Sequence, residues 1–455
     1  MSLVNKLSAL RDLYNTGITR PFDYRKKQLQ KLKAVIEKYE QQLYNALHED
    51  LKKSPEECWV TENGFVLAEI NNTIRQLERW MQPESTGTNL VNLPSKSYVI
   101  AEPLGVVLII SPWNYPFQLL FTPLVGAIAA GNCIVMKSSE FAPATTALMK
   151  QMIEETFEPG YILFIEGDGA HVVPEMMNNF VFDHVFYTGS TAVGKIIYQM
   201  AAQQLVPVTL ELGGKSPCVV ESDADIKVTA KRIVMTKFSN AGQMSVAPDY
   251  LLVHASVKDA LINELKNVLQ KFFGDDPRSS EYYGKIINEK QFDRLVKYFA
   301  DGKIIHGGRS DKSRSYIEPT LITDVDPGSA IMLEEIFGPI LPIISFDTME
   351  QALTIINRNK NPLAFYIFTS SKEKVWLNAV PFGGGCVNNA SWHLTNHNLP
   401  FGGRGFSGTG HYHGKYSFDT FSHKKAIMKT PTWFDPSIKY PPFKGKLKLF
   451  KWIIR

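Results

Sequence analysis

Cysteine is scarce in this sequence. Cys58, Cys133, Cys218 and Cys386 are the only four among 455 residues, and no two stand at metal-ligand spacing. Cys133 and Cys218 fall inside apolar, strand-like runs, so buried free thiols in a reducing compartment are the economical reading. Long apolar runs are lacking as well. Residues 104–110 (LGVVLII) form one of the strongest, far short of the roughly 20 residues that span a bilayer. The first residues, MSLVNKLSALRDLYNTG, hold no signal-peptide core, so the expected location is cytoplasmic. Charge of one sign is missing too. The 49 basic and 45 acidic residues leave a net +4, unclustered in the main body, which argues against nucleic acid as a partner. No internal repeat and no low-complexity segment interrupts the chain.

What is present is the balance of a soluble globular protein, 44% hydrophobic and 21% charged, in a chain long enough for two or three domains. Residues 1–82 read as helical. Leu29, Leu32, Val35, Ile36, Tyr39, Leu43, Ala46 and Leu47 recur at three- and four-residue spacing and make one apolar stripe. Pro21 suits a helix start, and Ser54-Pro55 marks the break before another helix. Around 85–103 the texture turns to Ser, Thr, Asn and Pro, which predicts a hairpin or small strand excursion. From 104 to 220, apolar runs (GVVLIISP, GNCIVMKSS, YILFIEGD, HVFYTGS, PVTLELGG) alternate with helical stretches. A second alternation follows to about 400 (SPCVVE, DYLLVH, GPILPIISF, AFYIFTS, GGCVNNA). The fold class is therefore α/β, with two parallel-sheet units in series and a site in the cleft between them.

Four segments carry chemistry. Residues 186–194, FYTGSTAVG, run from a strand through a glycine-bracketed turn into a helix. Free N–H groups at such a helix start attract phosphate, although the spacing is neither a P-loop nor G-x-G-x-x-G, and a plain turn and cap remains the alternative. Residues 112–116, PWNYP, place Asn114 directly after a strand. Its amide can meet a developing oxyanion or merely shape the turn. In LELGGK, Glu211 sits in an apolar strand before two glycines; burial would raise its pKa and suit a general base. Pairing with Lys215 or capping a backbone is the alternative. In EEIFGP, Glu335 begins a helix or clamps a ligand, and nothing local decides.

In this order and at these separations the segments resemble the aldehyde dehydrogenase superfamily over essentially the whole chain. The C-terminal PFGG, followed by GHYHGKYSFDTFSH, resembles its class 3 branch. The resemblance implies two Rossmann-like domains and a small β oligomerisation excursion. Residues 1–84 and 104–211 would bind NAD or NADP, 212–400 would be catalytic, 85–103 and 401–430 would bridge subunits, and 431–455 would be a basic amphipathic tail. It implies a homodimer that oxidises aromatic or medium- to long-chain aliphatic aldehydes to acids, through a cysteine thiohemiacetal and thioester. Asn114 would be the oxyanion-hole side chain, helped by the backbone N–H of residue 245, and Glu211 the base that activates water. Trp113, Lys137, Glu140, Gly189, Ser190, Gly194, Glu335 and Phe337 would hold the cofactor, with Lys137 and Glu140 on the adenosine ribose. Tyr115, Leu119, Met235, Ser239, Trp392, His393 and Phe401 would shape the aldehyde pocket; core packing is the equal alternative for several of them.

One position departs from the pattern. The family's nucleophile follows Gly-Gln-x-Cys, whereas residues 242–245 read Gly-Gln-Met-Ser. A thiol of pKa about 8.5 supplies thiolate at neutral pH, and a serine hydroxyl does not without a strong adjacent base. No histidine base is apparent beside Ser245 in the sequence. The expectation is cofactor and aldehyde binding with weak or absent turnover. Either a native cysteine has been replaced, or the chain is a naturally non-catalytic binding relative. His393, His397, His411 and His413 offer metal-like spacing, but zinc needs convergent ligands, and no metal is expected. The tail, residues 444–455 (KGKLKLFKWIIR), suits either an anionic membrane surface or docking on its own or a partner subunit.

Overall fold

The eight apolar positions from Leu29 to Leu47 are all buried; seven lie on two helices, Phe22–Lys38 and Glu40–Leu51, and Tyr39 stands at the join between them. In the computed structural model, which describes residues 2–454, Tyr39 leaves helical dihedrals at the join with ψ 12°. Ser54 caps the next helix, accepting the Glu57 N–H at 3.2 Å, with Pro55 in the first turn.

The apolar runs after residue 104 become parallel strands, most of them buried on both faces, as sheets covered by helices on each side require; Gly384–Val387 is half-buried. The first sheet has the order Gly408–Thr409, Val208–Glu211, His184–Thr188, Val106–Ile110, Cys133–Lys137, Ile162–Ile165. Only the short Gly408–Thr409 edge runs antiparallel, pairing Gly408 with Glu211. The second sheet has the order Lys303–His306, Thr320–Thr323, Ile340–Phe346, Tyr250–His254, Pro217–Val220, Ala364–Phe368, Gly384–Val387. Its first two strands are four residues each, flanked by Gly302, Gly307 and Pro319, and they are not among the apolar runs of the sequence pattern. Each sheet organises its own core, and Phe401 packs against both.

The excursion expected at 85–103 is a hairpin of Glu84–Thr86 with Lys96–Pro103, joined on its other side by Ser422–Lys429. That third strand is mostly exposed and shows no apolar alternation, which is why its sequence does not announce it. A short helix, Leu447–Ile453, ends the tail; Arg455 lies outside the described residues. No helix among the described residues is long and apolar enough to cross a membrane.

Candidate active site

The C-terminal ends of the first sheet's parallel strands open toward the second sheet, where ligands of α/β proteins bind. A cavity of about 620 Å³ lies there and is lined from both cores. Asn114, Glu211 and Ser245, which come from three distant segments, all face it. The sequence expectations Trp113, Tyr115, Leu119, Gly189, Ser190, Met235, Ser239, Glu335, Phe337, Trp392 and Phe401 line it as well.

Asn114 is buried, and its side-chain N–H donates to the main-chain carbonyl of Gln243 at 3.1 Å. That bond fixes which end of the amide is nitrogen; the carboxamide oxygen has no partner. The second N–H stays free to donate. Glu211 is 3% exposed and neither carboxylate oxygen has a hydrogen-bond partner. Burial alone pushes its pKa well above the ordinary carboxylate range. Lys215 is not its partner. Lys215 pairs with Asp249 instead, and no backbone N–H reaches the Glu211 carboxyl, so both structural roles open to Glu211, the ion pair and the backbone cap, are excluded.

Glu335 approaches the backbone at Gly213, where any Cβ would lie 1.9 Å from its Oε2. Burial, reinforced by the Asp249 charge, pushes its pKa up to about 8. The segment carrying it is held by Arg294, another cavity residue, which donates to the carbonyls of Glu335 at 3.3 Å and Ile336 at 2.7 Å. Phe337, in the left-handed region at φ 51°, meets Trp113 edge-on at 5.4 Å. Asp249 Oδ1 accepts the Ile336 N–H at 3.0 Å.

Gly189 leaves no room for a side chain, since a Cβ would meet the Tyr187 hydroxyl at 2.3 Å. Ser190 caps the helix Thr191–Gln203, accepting from Val193 N–H, so the first N–H groups of that helix face the cavity end.

Four expected residues lie outside the cavity. Gly194 faces Leu212, whose Cδ2 a Cβ would meet at 2.6 Å, and its role there is close helix–strand packing. Lys137 and Glu140 pair at 3.4 Å at the end of a first-sheet strand, and Glu140 accepts the Gly169 N–H at 3.4 Å. They form a separate polar shelf beside the helix Gly169–Asn179. Burial pushes the Lys137 pKa down. His393 stacks on Phe401, with ring centroids 5.9 Å apart, and its Nδ1 lies 3.6 Å from Cys386 Sγ.

The sequence also gave no hint of other walls. Val60, Thr61 and Phe65 come from the N-terminal helices, and Leu394, Tyr412 and His413 from the C-terminal loops. His413, far from Ser245 in the sequence, shares the cavity with it, stacked on Phe401 at 5.2 Å. Both its ring nitrogens are buried without a partner, and burial pushes its pKa down to about 4. It is therefore neutral and is not hydrogen-bonded to Ser245. A local sequence signal for these walls does not exist, because they meet only through the fold.

Comparison with known proteins matches residues 14–427 to the aldehyde dehydrogenase family model. The chain belongs to the aldehyde dehydrogenase family. It is 46% identical to the 4,4'-diaponeurosporen-aldehyde dehydrogenase of Staphylococcus aureus over 96% of each chain. It is 42% identical to aldehyde dehydrogenase family 3 member H1 of Arabidopsis thaliana, over 99% of this chain and 94% of that one. A Staphylococcus aureus AldH solved in a substrate-bound state superposes with TM-score 0.97 at 45% identity, covering both chains fully. The α/β fold and the class 3 likeness are thus established. The family uses NAD or NADP: a rat relative is named as dimeric and NADP-preferring, and a Staphylococcus aureus betaine aldehyde dehydrogenase was solved with NAD+. The aldehyde dehydrogenase relatives support aldehyde oxidation as the chemistry of this scaffold.

Proposed function

We propose that this chain binds NAD or NADP together with an aromatic or medium- to long-chain aliphatic aldehyde, and that Ser245 leaves it with little or no oxidative turnover. The observation that carries this reading is the meeting of Asn114, Glu211 and position 245 on one cavity, with a serine where a thiol would react. In the division of labour we propose, residues 1–84 and 104–211 hold the cofactor and 212–400 carry the reacting position. Residues 85–103 and 401–430 bridge subunits.

The donor set fits a dinucleotide. The capped helix at Ser190 offers N–H groups to a pyrophosphate, the Lys137–Glu140 shelf offers charge and acceptors to ribose hydroxyls, and the Gly213–Glu335 approach leaves a carboxyl beside Trp113 and Phe337. When bound, the dinucleotide supplies the two-electron acceptor. The protein's own residues do the rest. Phe65, Leu119, Met235 and Phe401 give the aldehyde an apolar wall. The free N–H of Asn114 donates to the carbonyl oxygen as charge builds there. Glu211, whose pKa burial raises, activates water in its ionised form. Ser245 would need a base to attack; His413 makes no hydrogen bond to it, and burial, by lowering the pKa to about 4, leaves that imidazole a weak base.

A homodimer belongs to the same reading. It is supported by the open edge of the small sheet at Ser422–Lys429 and by the dimeric rat relative. The tail supports a peripheral contact with an anionic membrane surface: Trp433 is 78% and Trp452 72% exposed, among lysines 439, 444, 446, 448 and 451. Sedimentation with anionic liposomes, comparing the chain with one lacking residues 431–455, tests this; equal pelleting sinks it.

The functional test is NAD(P)H formation with benzaldehyde and hexanal, for this chain and its Ser245→Cys variant. Turnover by the variant alone is the expected result and marks a dehydrogenase scaffold with a silenced nucleophile. Cofactor binding by both with turnover by neither means a non-catalytic binding relative. Full turnover by the serine form overturns the reading.

A further inference from the structure

Behind the cavity lies a buried charge cluster that no step above uses. Lys53 is fully buried. Its ammonium donates to Glu62 Oε1 at 2.5 Å and to the main-chain carbonyl of Asn114 at 3.1 Å. It also stands 3.8 Å over the ring of Tyr115, a cavity wall. Glu62 Oε2 accepts the Gln118 N–H at 2.8 Å. Glu57 accepts from Asn240 N–H at 2.9 Å and from the Ser239 hydroxyl at 3.2 Å. The Asn240 side chain donates at 2.7 Å to the same Asn114 carbonyl, and at 3.2 Å to the Gln243 carbonyl. That Gln243 carbonyl is the one the Asn114 amide itself bonds.

Local structure is bent to make this cluster. Glu57 and Glu62 are five residues apart, which a regular α-helix would set about 140° apart around its axis. Trp59–Asn63 is instead a π-turn, whose i→i+5 bonding widens the turn and is found mostly at functional sites. Gly64 follows it, where a Cβ would lie 2.3 Å from the Trp59 carbonyl oxygen. Burial pushes the pKa of both carboxyls up, with Lys53 opposing. Burying an ion pair costs several kcal/mol per ion and is weak evidence for stability. What the pair holds in place is the better explanation for it.

We propose that Lys53 is a positioning residue for Asn114: with Glu62 as counter-charge it fixes the main chain at 114, and so the direction of the free Asn114 N–H toward the oxygen of a bound aldehyde. The inference rests on the aldehyde-binding reading above. Lys53 touches no reacting atom. Its effect travels through one carbonyl, which is tied to the loop before Ser245 by Asn240.

The test uses decanoate, whose carboxylate stands in for the developing oxyanion, and 1-decanol as an uncharged control. Both are titrated calorimetrically into the chain saturated with NAD+. The double variant Lys53→Met/Glu62→Gln removes both charges together. It should weaken decanoate about tenfold while leaving 1-decanol within about twofold. Lys53→Arg should restore most of the decanoate affinity. In the Ser245→Cys background the double variant should lower kcat about tenfold with little change in KM for NAD+. If the double variant does not fold, Glu62→Gln alone, which keeps an acceptor for the Gln118 N–H, reads the same ratio. Unchanged decanoate affinity in a folded variant overturns the inference and leaves the functional reading standing. Failure of the unaltered chain to bind either decanoate or NAD+ overturns the functional reading, and the inference with it.

Discussion

Gly213 and Glu335 are fitted to each other: a Cβ on Gly213 would lie 1.9 Å from Glu335 Oε2. A single methyl group at 213 therefore has to displace the carboxyl. Gly213→Ala is expected to cost about 1–3 kcal/mol of stability and to weaken NADH binding on the order of tenfold or more. A fluorescence titration with NADH beside a thermal melt measures both; an unchanged NADH affinity would remove Glu335 from the cofactor site.

The same carboxyl gives stability a pH dependence. Glu335 has its folded pKa raised from 4.5 to about 8. Between these values the folded chain keeps a proton that the unfolded chain releases, so its contribution to stability declines as pH rises through this window. Glu335→Gln is expected to flatten the fall of melting temperature from about pH 5 to about pH 8. An identical slope in both proteins would count against the burial described here.

For Glu211 the expectation concerns rate. In the Ser245→Cys form, a base whose pKa burial raises above the ordinary carboxylate range must ionise before it works, so kcat rises with pH as that carboxyl ionises. Glu211→Gln should erase that rise and slow deacylation by about 10²-fold or more. A burst of NADH followed by a stalled steady state in the Gln variant is the signature to look for.

Asn114→Ala in the Ser245→Cys form should lower kcat by about 10²–10³, with NADH affinity unchanged. If KM for the aldehyde alone moves, Asn114 is holding the ground state rather than developing charge.

Asp249 joins the two halves of the cofactor end: it pairs with Lys215 and accepts the Ile336 N–H at 3.0 Å. Asp249→Ala leaves a buried lysine without its counter-ion and is expected to cost about 3–5 kcal/mol. Chemical denaturation of the two proteins gives the difference directly.

How much of this was legible in the residues follows from physics at each place. The buried strands announced themselves because continuous apolar runs of four to eight residues between turn signals have few other uses. Asn114, Glu211 and Glu335 were legible through their motifs and their resemblance to a family, and the cavity brings them together. His413, Phe65 and Thr61 were not, because each lies on an element whose local pattern speaks only of helix or loop. Lys53 was invisible for a sharper reason. Next to Lys52 and before Ser-Pro-Glu-Glu, it looks like any surface lysine, and only the π-turn and the packing of Tyr115 reveal that it is interior. The edge strand Ser422–Lys429 was hidden because its partners, not its own apolarity, make it a strand.

The pairing of Gly408 with Glu211, and the walls given by Phe401, Tyr412 and His413, tie the site's completion to the order in which the chain is made. A ribosome that has delivered the first sheet's parallel strands has made every dinucleotide-facing residue of that half, while the aldehyde side still lacks a wall and Glu211 lacks its neighbouring strand. Translation from the N-terminus therefore yields a nascent chain that acquires its aldehyde chamber last. Reactive carbonyl compounds in the surroundings meet a finished chamber only once nearly all of the polypeptide has been synthesised.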